Sequence, residues 1–123
     1  MINLNTFYID GAWVAPAGTA TMPILTPSTN AQVGKLTLGT AADVERAVAA
    51  AKVAFESFSL TPKAERLALL HRLAEVTEAR MGDLAEAITL EMGAPKTMSL
   101  EVQAEAGLGH LKGFIAATLN ASY

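Results

Sequence analysis

The sequence predicts an α/β chain in which short strands, within about residues 7–38, precede three or four amphipathic helices. Charge divides the chain sharply, because residues 1–39 contain one acid, Asp10, and one base, Lys35, and every other charge follows Thr40. From Thr40 onward apolar residues recur every three or four positions, the spacing of one helix face. We therefore expect a strand-rich segment at residues 1–39 and a helical segment at residues 40–123.

A β-hairpin is predicted at the start of the strand-rich segment. The apolar runs Phe7–Ile9 and Ala12–Val14 flank Asp10-Gly11, and a two-residue Asp-Gly loop favours a type I′ turn because both positions need positive φ. Trp13 lies on this hairpin, where an aromatic ring commonly packs on a neighbouring strand or helix. Two further strands are predicted at residues 22–25 and 33–38.

The first helix is predicted at about residues 41–58. Thr40 is a good N-cap and Asp43 follows three residues later, which is close to a capping box. The helix carries one apolar stripe, which we define as Val44, Val48, Ala51, Phe55 and Phe58.

Three more helices are predicted at about residues 62–80, 82–92 and 98–119. Thr61 is expected to cap the second and Pro62 to occupy its first position. Gly82 kinks or divides the pattern, and Gly93 is expected to end the third helix before Pro95. The predicted buried face of the second helix contains Leu67, Leu69, Leu70, Leu73 and Val76.

Composition excludes several classes of function. The 123 residues make about one domain, yet 51% are hydrophobic and only 17% charged, so the chain has more core-type than surface-type residues. A net charge of −3 without a basic cluster argues against nucleic acid. With no cysteine, there is no disulfide or thiolate site. Prolines interrupt the uncharged residues 11–34, so no membrane span is predicted, and no signal peptide is visible, which predicts a cytoplasmic protein.

No combination of residues in the sequence predicts an active site. The three glycines Gly107, Gly109 and Gly113 fail the dinucleotide fingerprint because Lys112 occupies the third glycine position. The spacing of Gly109 and Gly113 instead predicts the close approach of another element. His71 and His110 are isolated, as is typical of helix-surface or packing residues rather than metal ligands.

The order of motifs resembles the N-terminal part of the NAD(P)-dependent aldehyde dehydrogenase family. The hairpin sequence FYIDGAW is similar to the family's opening F-I-x-G-x-W, and TPSTNAQVG is similar to N-P-(A/S)-T-G-E-x-(I/L)-G. Residues 40–55 resemble the pattern around D-V-D-x-A-V, and residues 90–95, LEMGAP, resemble L-E-x-G-K-P. These matches cover nearly all of residues 7–96.

The resemblance implies that residues 1–123 form part of the nucleotide-binding domain, with the catalytic and oligomerisation domains absent. In this family a thiolate attacks the aldehyde, hydride passes to NAD or NADP, and water hydrolyses the thioester formed through a thiohemiacetal, giving a carboxylic acid. The family's catalytic Cys, Glu and Asn lie downstream of the matched region. The resemblance therefore assigns no catalytic or cofactor-binding residue here, and no cofactor bound by this chain alone.

One site is carried over by the resemblance. Many members bind a monovalent cation, and the backbone carbonyls of Ile24 or Leu25 and the carboxylate of Glu91 match its position. Oxygen ligands suit such a hard cation. The alternative is that Glu91 is an ordinary acid at the end of a helix.

Two hypotheses for the function follow. In the first, the chain is the N-terminal part of an aldehyde-oxidising enzyme, inactive alone, whose partner is the rest of the enzyme chain. In the second, it is a non-catalytic helical interaction module that oligomerises through its apolar helix faces. A soluble oligomer of fixed stoichiometry favours the second hypothesis, and a need for a companion polypeptide favours the first.

Overall fold

The computed structural model describes residues 1–121, which form two compact units by contact. The first unit ends at Leu60 and the second begins at Thr61, so the first helix belongs with the strands. Within the described residues the strands are β1 (Ile2–Leu4), β2 (Phe7–Ile9), β3 (Ala12–Val14), β4 (Thr21–Leu25) and β5 (Gln32–Thr37). The helices are α1 (Ala41–Phe58), α2 (Lys63–Ala79), α3 (Met81–Met92), α4 (Lys96–Met98), a π-helical segment (Ser99–Ala104) and α5 (Glu105–Asn120).

The predicted hairpin is confirmed. Strands β2 and β3 pair antiparallel, with Tyr8 opposite Trp13, and the loop residues Asp10 and Gly11 have φ of 53° and 74°. Positive φ at both positions is the backbone geometry that the Asp-Gly sequence predicts. The rings of Tyr8 and Trp13 meet edge to face, with centroids 5.3 Å apart, so Trp13 packs on the neighbouring strand as expected.

A three-stranded sheet in the order β1-β5-β4 completes the strand-rich part. Strand β4 runs antiparallel to β5, and β1 runs parallel to it, with Ile2 opposite Gly34. A Cβ atom on Gly34 would lie 2.7 Å from the carbonyl oxygen of Ile2, so the two backbones approach as closely as glycine allows. Strand β1 was not predicted, because three residues without alternation carry no signal of their own.

Helix α1 has the predicted bounds, but its apolar stripe is exposed. Val44 is 61% exposed and Phe55 is 67% exposed, while Asp43 is the one buried residue of the helix. The side of α1 that faces the hairpin carries small residues, among them Ala47 and Ala50. Within the stripe, Ala51 lines the groove beside the hairpin together with these alanines, whereas the side chains of the four larger residues are 47–67% exposed.

The second unit is built on α2 and α5. Its core contains Ala74, Leu108 and Ile115, with Leu67, Leu70, Met81 and Leu111 packed partly buried against it. The predicted buried face of α2 is therefore wrong in part, because Leu69, Leu73 and Val76 are 40–55% exposed. The apolar residues of α2 that pack in this core are Leu67, Leu70 and Ala74, which lie on about two turns of the helix.

The boundaries of the later helices differ in detail from the prediction. Pro62, not Thr61, is the N-cap of α2, and the predicted break at Gly82 is confirmed as a boundary between α2 and α3 at Arg80. Gly93 ends α3 in the left-handed conformation, with φ of 76°, as expected of a helix-ending glycine. The single helix predicted at 98–119 begins at Lys96 and is interrupted by the π-helical segment.

Two features that could occur in helices are absent from the described ones: a membrane span, and a close approach at the glycines of α5. No helix within residues 1–121 combines the length and hydropathy that crossing a bilayer requires. The close approach predicted at Gly109 and Gly113 is wrong for this part of the chain, since a Cβ at either position would meet no atom within 4 Å.

Candidate functional site

The most concentrated set of polar contacts in the first unit surrounds the buried carboxylate of Asp43, which is 4% exposed. Its Oδ2 accepts hydrogen bonds from the backbone N–H of Thr40 at 2.9 Å and from the Thr40 hydroxyl at 2.8 Å. Its Oδ1 accepts a hydrogen bond from the backbone N–H of Ala17 at 2.9 Å. The predicted capping pair is thus confirmed, and the same carboxylate also holds the loop that follows the hairpin.

Arg46 extends this cluster. Its Nη2 lies 3.3 Å from Oδ1 of Asp43 and donates a hydrogen bond to the carbonyl oxygen of Ala15 at 3.0 Å. The hydrogen bonds from the backbone N–H groups of Thr40 and Ala17 lower the pKa of Asp43, with smaller contributions from the Thr40 hydroxyl and the Arg46 charge. The carboxylate is therefore ionised at neutral pH and acts as a structural anchor.

The carboxylate of Asp43 lies at the N-terminus of α1, where a cofactor phosphate could otherwise bind. The N-terminus of a helix that follows a strand is the place where dinucleotide phosphates usually bind, through free backbone N–H groups. Here α1 follows β5, but the carboxylate of Asp43 already accepts the hydrogen bond from Thr40 N–H. A fixed negative charge repels a phosphate at this position, and the glycines of α5 lie within a helix rather than in a strand-to-helix turn. The N-terminus of α1 and the glycines of α5 therefore do not fit a dinucleotide-phosphate site.

A groove of about 500 Å³ lies between the hairpin and α1. Its lining is mostly aliphatic, including Val14, Ala50 and Val53, and the only charged residues that line it are Asp10 and Arg46. An open, largely apolar groove with a fixed guanidinium suits packing against another segment of polypeptide better than it suits chemistry. It contains no nucleophile and no general base held in place by a partner.

The three residues expected to bind a monovalent cation lie in both units. Ile24 and Leu25 end β4, where the pairing with β5 becomes irregular; Ile24 is buried and Leu25 is 44% exposed. Glu91 is exposed in the last turn of α3. Ile24 and Leu25 are adjacent in the chain and belong to the first unit. Glu91 belongs to the second unit.

Other candidate ligands are dispersed. Within residues 1–121 no group of three or more His, Asp or Glu side chains is close enough to hold a metal ion. His71 and His110 are both exposed on helices, in line with the expected surface role.

A buried hydroxyl pair was missed by the sequence analysis. The Oγ of Ser99 is fully buried, accepts a hydrogen bond from the Thr89 hydroxyl at 2.7 Å and donates one to the carbonyl oxygen of Ala94 at 3.3 Å. These contacts tie the end of α3 to the start of the π-helical segment. No local pattern links residues ten positions apart across a loop, so the sequence offered no signal for them.

Comparisons with known proteins agree on one family. The sequence profile described as the aldehyde dehydrogenase family matches residues 13–121. A 3-succinoylsemialdehyde-pyridine dehydrogenase from a Pseudomonas species is 44% identical over 111 residues, covering 89% of this chain and 23% of that protein. The chain therefore spans about a quarter of the length of the curated relatives it matches.

Solved structures give the same picture. An aldehyde dehydrogenase from Bartonella henselae superimposes with a TM-score of 0.97 at 36% identity, covering 100% of this chain and 26% of that one. A mutant aldehyde dehydrogenase C from Pseudomonas syringae, in complex with NAD⁺ and octanal, has a TM-score of 0.94 at 34% identity, covering 97% of this chain and 24% of that one. In these neighbours the chain corresponds to the N-terminal part.

Proposed function

The chain belongs to the aldehyde dehydrogenase family, and from this premise we propose that it serves as the N-terminal structural part of an enzyme that oxidises aldehydes to carboxylic acids with NAD⁺ or NADP⁺. Its role is to supply the hairpin, sheet and helical layers on which the remaining polypeptide packs. The reaction itself is carried by residues outside this chain.

The observation that carries the proposal is that several helix faces are exposed although their apolar residues are spaced as on buried faces. Large apolar side chains such as Phe55, Leu73 and Phe114 are 50–67% exposed. Exposed apolar area on this scale is unfavourable in water unless another surface covers it. Because relatives with the same N-terminal fold are about four times longer, the missing cover is the rest of such an enzyme.

The proposed reaction assigns no chemical step to the described residues. In the whole enzyme a thiolate forms a thiohemiacetal and then a thioester with the aldehyde carbon, and the dinucleotide accepts the hydride. This chain has no cysteine, and the N-terminus of α1 is already capped by the carboxylate of Asp43. Complexes with NAD⁺ among the structural neighbours support NAD⁺ for the whole enzyme.

An activity assay tests the proposal that the chain has no dehydrogenase activity on its own. The purified 123-residue chain is incubated with octanal and NAD⁺ or NADP⁺, and formation of reduced nicotinamide is followed by absorbance. The full-length Pseudomonas relative, assayed with its own aldehyde, is the positive control. We expect no aldehyde-dependent reduction by the chain alone, and any rate that scales with the chain's concentration would refute the proposal.

A cation site is part of the same proposal. The carbonyl oxygens at Ile24 and Leu25 and the carboxylate of Glu91 would hold a monovalent cation once the remaining polypeptide supplies further oxygen ligands. Glu91 and Leu25 are exposed, at the end of α3 and at the irregular end of β4, whereas Ile24 is buried. The test uses a chimera, in which this chain replaces the matching N-terminal segment of the Pseudomonas relative.

The interaction module is the second candidate, favoured by the same exposed faces. If it is correct, the chain forms a stable oligomer of fixed stoichiometry and gains nothing from a companion polypeptide. If the first proposal is correct, the chimera has dehydrogenase activity. The oligomeric state of the chain and the activity of the chimera are measured independently of each other.

A further inference from the structure

The loop of the β2–β3 hairpin places a carboxyl group beside an exposed backbone nitrogen. Asp10 and Gly11 are both exposed, and a Cβ atom built on Gly11 would meet nothing within 4 Å. Within residues 1–121, neither the Asp10 carboxylate nor the Gly11 N–H takes part in a hydrogen bond or an ion pair. No partner in the described chain therefore restrains these two groups from reacting with each other.

The chain contains two other aspartates, and the first of them is held firmly. Asp43 precedes Val44 in the first turn of α1. The N–H of Val44 donates a hydrogen bond to the carbonyl oxygen of Thr40 at 3.2 Å. The carboxylate of Asp43 is buried and accepts hydrogen bonds of its own. The carboxylate and the nitrogen that follows it are therefore both engaged at this position.

Asp83 is the closer comparison, because it is exposed like Asp10. The N–H of the following residue, Leu84, donates a hydrogen bond to the carbonyl oxygen of Arg80 at 3.1 Å. The carboxylate of Asp83 pairs with Nε of Arg80 at 3.0 Å. In the part of the chain that the structure describes, Asp10 is thus the one aspartate whose carboxylate and following N–H both lack a partner.

We propose that Asp10 is a site of spontaneous isoaspartate formation in the folded chain. The backbone nitrogen of Gly11 attacks Cγ of Asp10; the N–Cγ bond forms, the Cγ–OH bond breaks, and the hydroxyl leaves as water together with the amide proton. The product is a cyclic succinimide, which consumes one water on hydrolysis. Opening at Cγ restores Asp10, whereas opening at the main-chain carbonyl leaves an isoaspartate, in which the chain runs through Cβ and Cγ.

Glycine at the following position favours the ring closure for a steric reason. Gly11 has no Cβ beside the attacking nitrogen, and its φ of 74° lies in a region that other residues rarely adopt. The backbone can therefore rotate toward the succinimide at little cost, and a loop tip is where such a rotation disturbs the fewest contacts. Because this chemistry needs only the loop and water, it does not depend on the proposed function.

The modification should loosen the hairpin. Ile9 pairs with Ala12 next to the loop, and Tyr8 pairs with Trp13 one step further away. A two-residue loop fixes this register, so an additional main-chain methylene in the loop strains both pairs. The edge-to-face contact of Tyr8 with Trp13, at 5.3 Å between ring centroids, should weaken. Trp13 is the only tryptophan of the chain, so its fluorescence emission reports on this change.

Incubation of the folded 123-residue chain at neutral pH for several weeks tests the proposal. Samples are taken at intervals, and peptide mapping with fragmentation of the isoaspartyl Cα–Cβ bond locates the product. We expect the isoaspartate content at Asp10 to exceed that at Asp43 and at Asp83 by about tenfold or more. The emission of Trp13 should change in step with the isoaspartate content.

Asp10→Gly is the matched control for the fluorescence, because a Gly-Gly loop also suits a type I′ turn but offers no carboxyl group to attack. The emission of Trp13 in this variant should stay constant during the same incubation.

Asp10→Asn tests the nucleophile, because ammonia then leaves and the product gains about one dalton. Deamidation at position 10 should be faster than at Asn30 by about tenfold. Asn30 is exposed and also has positive φ, at 56°, but it precedes Ala31, whose N–H donates a hydrogen bond to the Thr29 hydroxyl at 3.4 Å.

The proposal is overturned if the isoaspartate content at Asp10 does not exceed that at Asp83. It is equally overturned if Asp10→Asn deamidates no faster at position 10 than at Asn30. If the emission of Trp13 changes equally in the original chain and in Asp10→Gly, the proposed effect on the hairpin is refuted.

Discussion

The backbone N–H of Ala17 donates a hydrogen bond of 2.9 Å to the carboxylate of Asp43, joining residues 26 positions apart. The same carboxylate caps the N-terminus of α1 by accepting hydrogen bonds from the backbone N–H and the hydroxyl of Thr40. One side chain therefore fixes both the start of the helix and the loop that leaves the hairpin, which makes it the most informative position in the first unit.

Asp43→Asn should destabilise the first unit, because an amide NH₂ cannot accept the hydrogen bonds that one carboxylate oxygen now accepts. We expect the thermal midpoint to fall by about 5 °C at pH 7. Asp83→Asn is the control, since Asp83 also lies in the first turn of a helix but is exposed and pairs only with Arg80. Equal midpoints for the two variants would contradict the role assigned to Asp43.

The effect of Asp43 on stability should depend on pH. Hydrogen bonds to the ionised form lower the folded-state pKa of Asp43 below its ordinary value of 3.8, so the folded state binds the proton more weakly than the unfolded state does. The carboxylate then contributes its full stabilisation above pH 3.8 and loses it as the pH falls through the lowered pKa. Unfolding of the original chain and of Asp43→Asn, compared from neutral pH downward, should converge only in acid, and a constant difference would contradict this.

Gly34→Ala should weaken the pairing of β1 with β5. The new Cβ would lie 2.7 Å from the carbonyl oxygen and 2.8 Å from the Cβ of Ile2, so the backbone of β1 must move, at a cost of about 1–3 kcal/mol. Gly109→Ala is the matched control on α5, where the Cβ meets nothing within 4 Å, and it should stabilise the chain by up to about 1 kcal/mol. Urea unfolding gives both values, and two changes of the same sign would refute this account.

Ser99→Ala should destabilise the second unit by about 1–2 kcal/mol, because the Thr89 hydroxyl loses its acceptor in a buried place. Ser57→Ala is the control, since that hydroxyl is exposed and donates only to the carbonyl oxygen of Ala54. The combined variant Thr89→Val/Ser99→Ala should cost less than the two single changes together. Strict additivity in urea unfolding would show that the two hydroxyls do not act as a pair.

Glu91→Gln should weaken the dependence of the chimera on a monovalent cation. Removing one negative ligand raises the K⁺ or Na⁺ concentration needed for half-maximal stabilisation, by about tenfold, as measured by thermal unfolding in a series of salt concentrations. Glu86→Gln, another acid of α3, is the control and should leave that concentration unchanged. If the original chimera shows no difference between K⁺, Na⁺ and a bulky organic cation, the site does not exist.

Local rules predicted much of the fold because they act over a few residues. The Asp10-Gly11 turn, the bounds of α1, the capping pair of Thr40 and Asp43 and the helix end at Gly93 all follow from φ preferences or capping within one turn. Strand β1 could not be predicted, because its order depends on pairing with a segment thirty residues away.

The error over α2 has a different physical origin. Periodicity identifies apolar residues on a helix but does not say which of them meet a partner within the same chain. Leu67 and Leu70 pack against the core of the second unit, while Leu69 and Leu73 remain half exposed. For the candidate site, the family resemblance supplied Ile24, Leu25 and Glu91, whereas the long-range hydrogen bond to Ala17 has no signature in the sequence.

The central claim is that this chain supplies structure, and no reaction chemistry, to an aldehyde dehydrogenase. The chimera with the Pseudomonas relative tests it most directly, by the rate of NAD⁺ reduction with that relative's own aldehyde. We predict a soluble chimera whose kcat lies within about tenfold of the relative's, because 44% identity over the matched 111 residues preserves the packing surface. A folded chimera without aldehyde-dependent activity would contradict the claim.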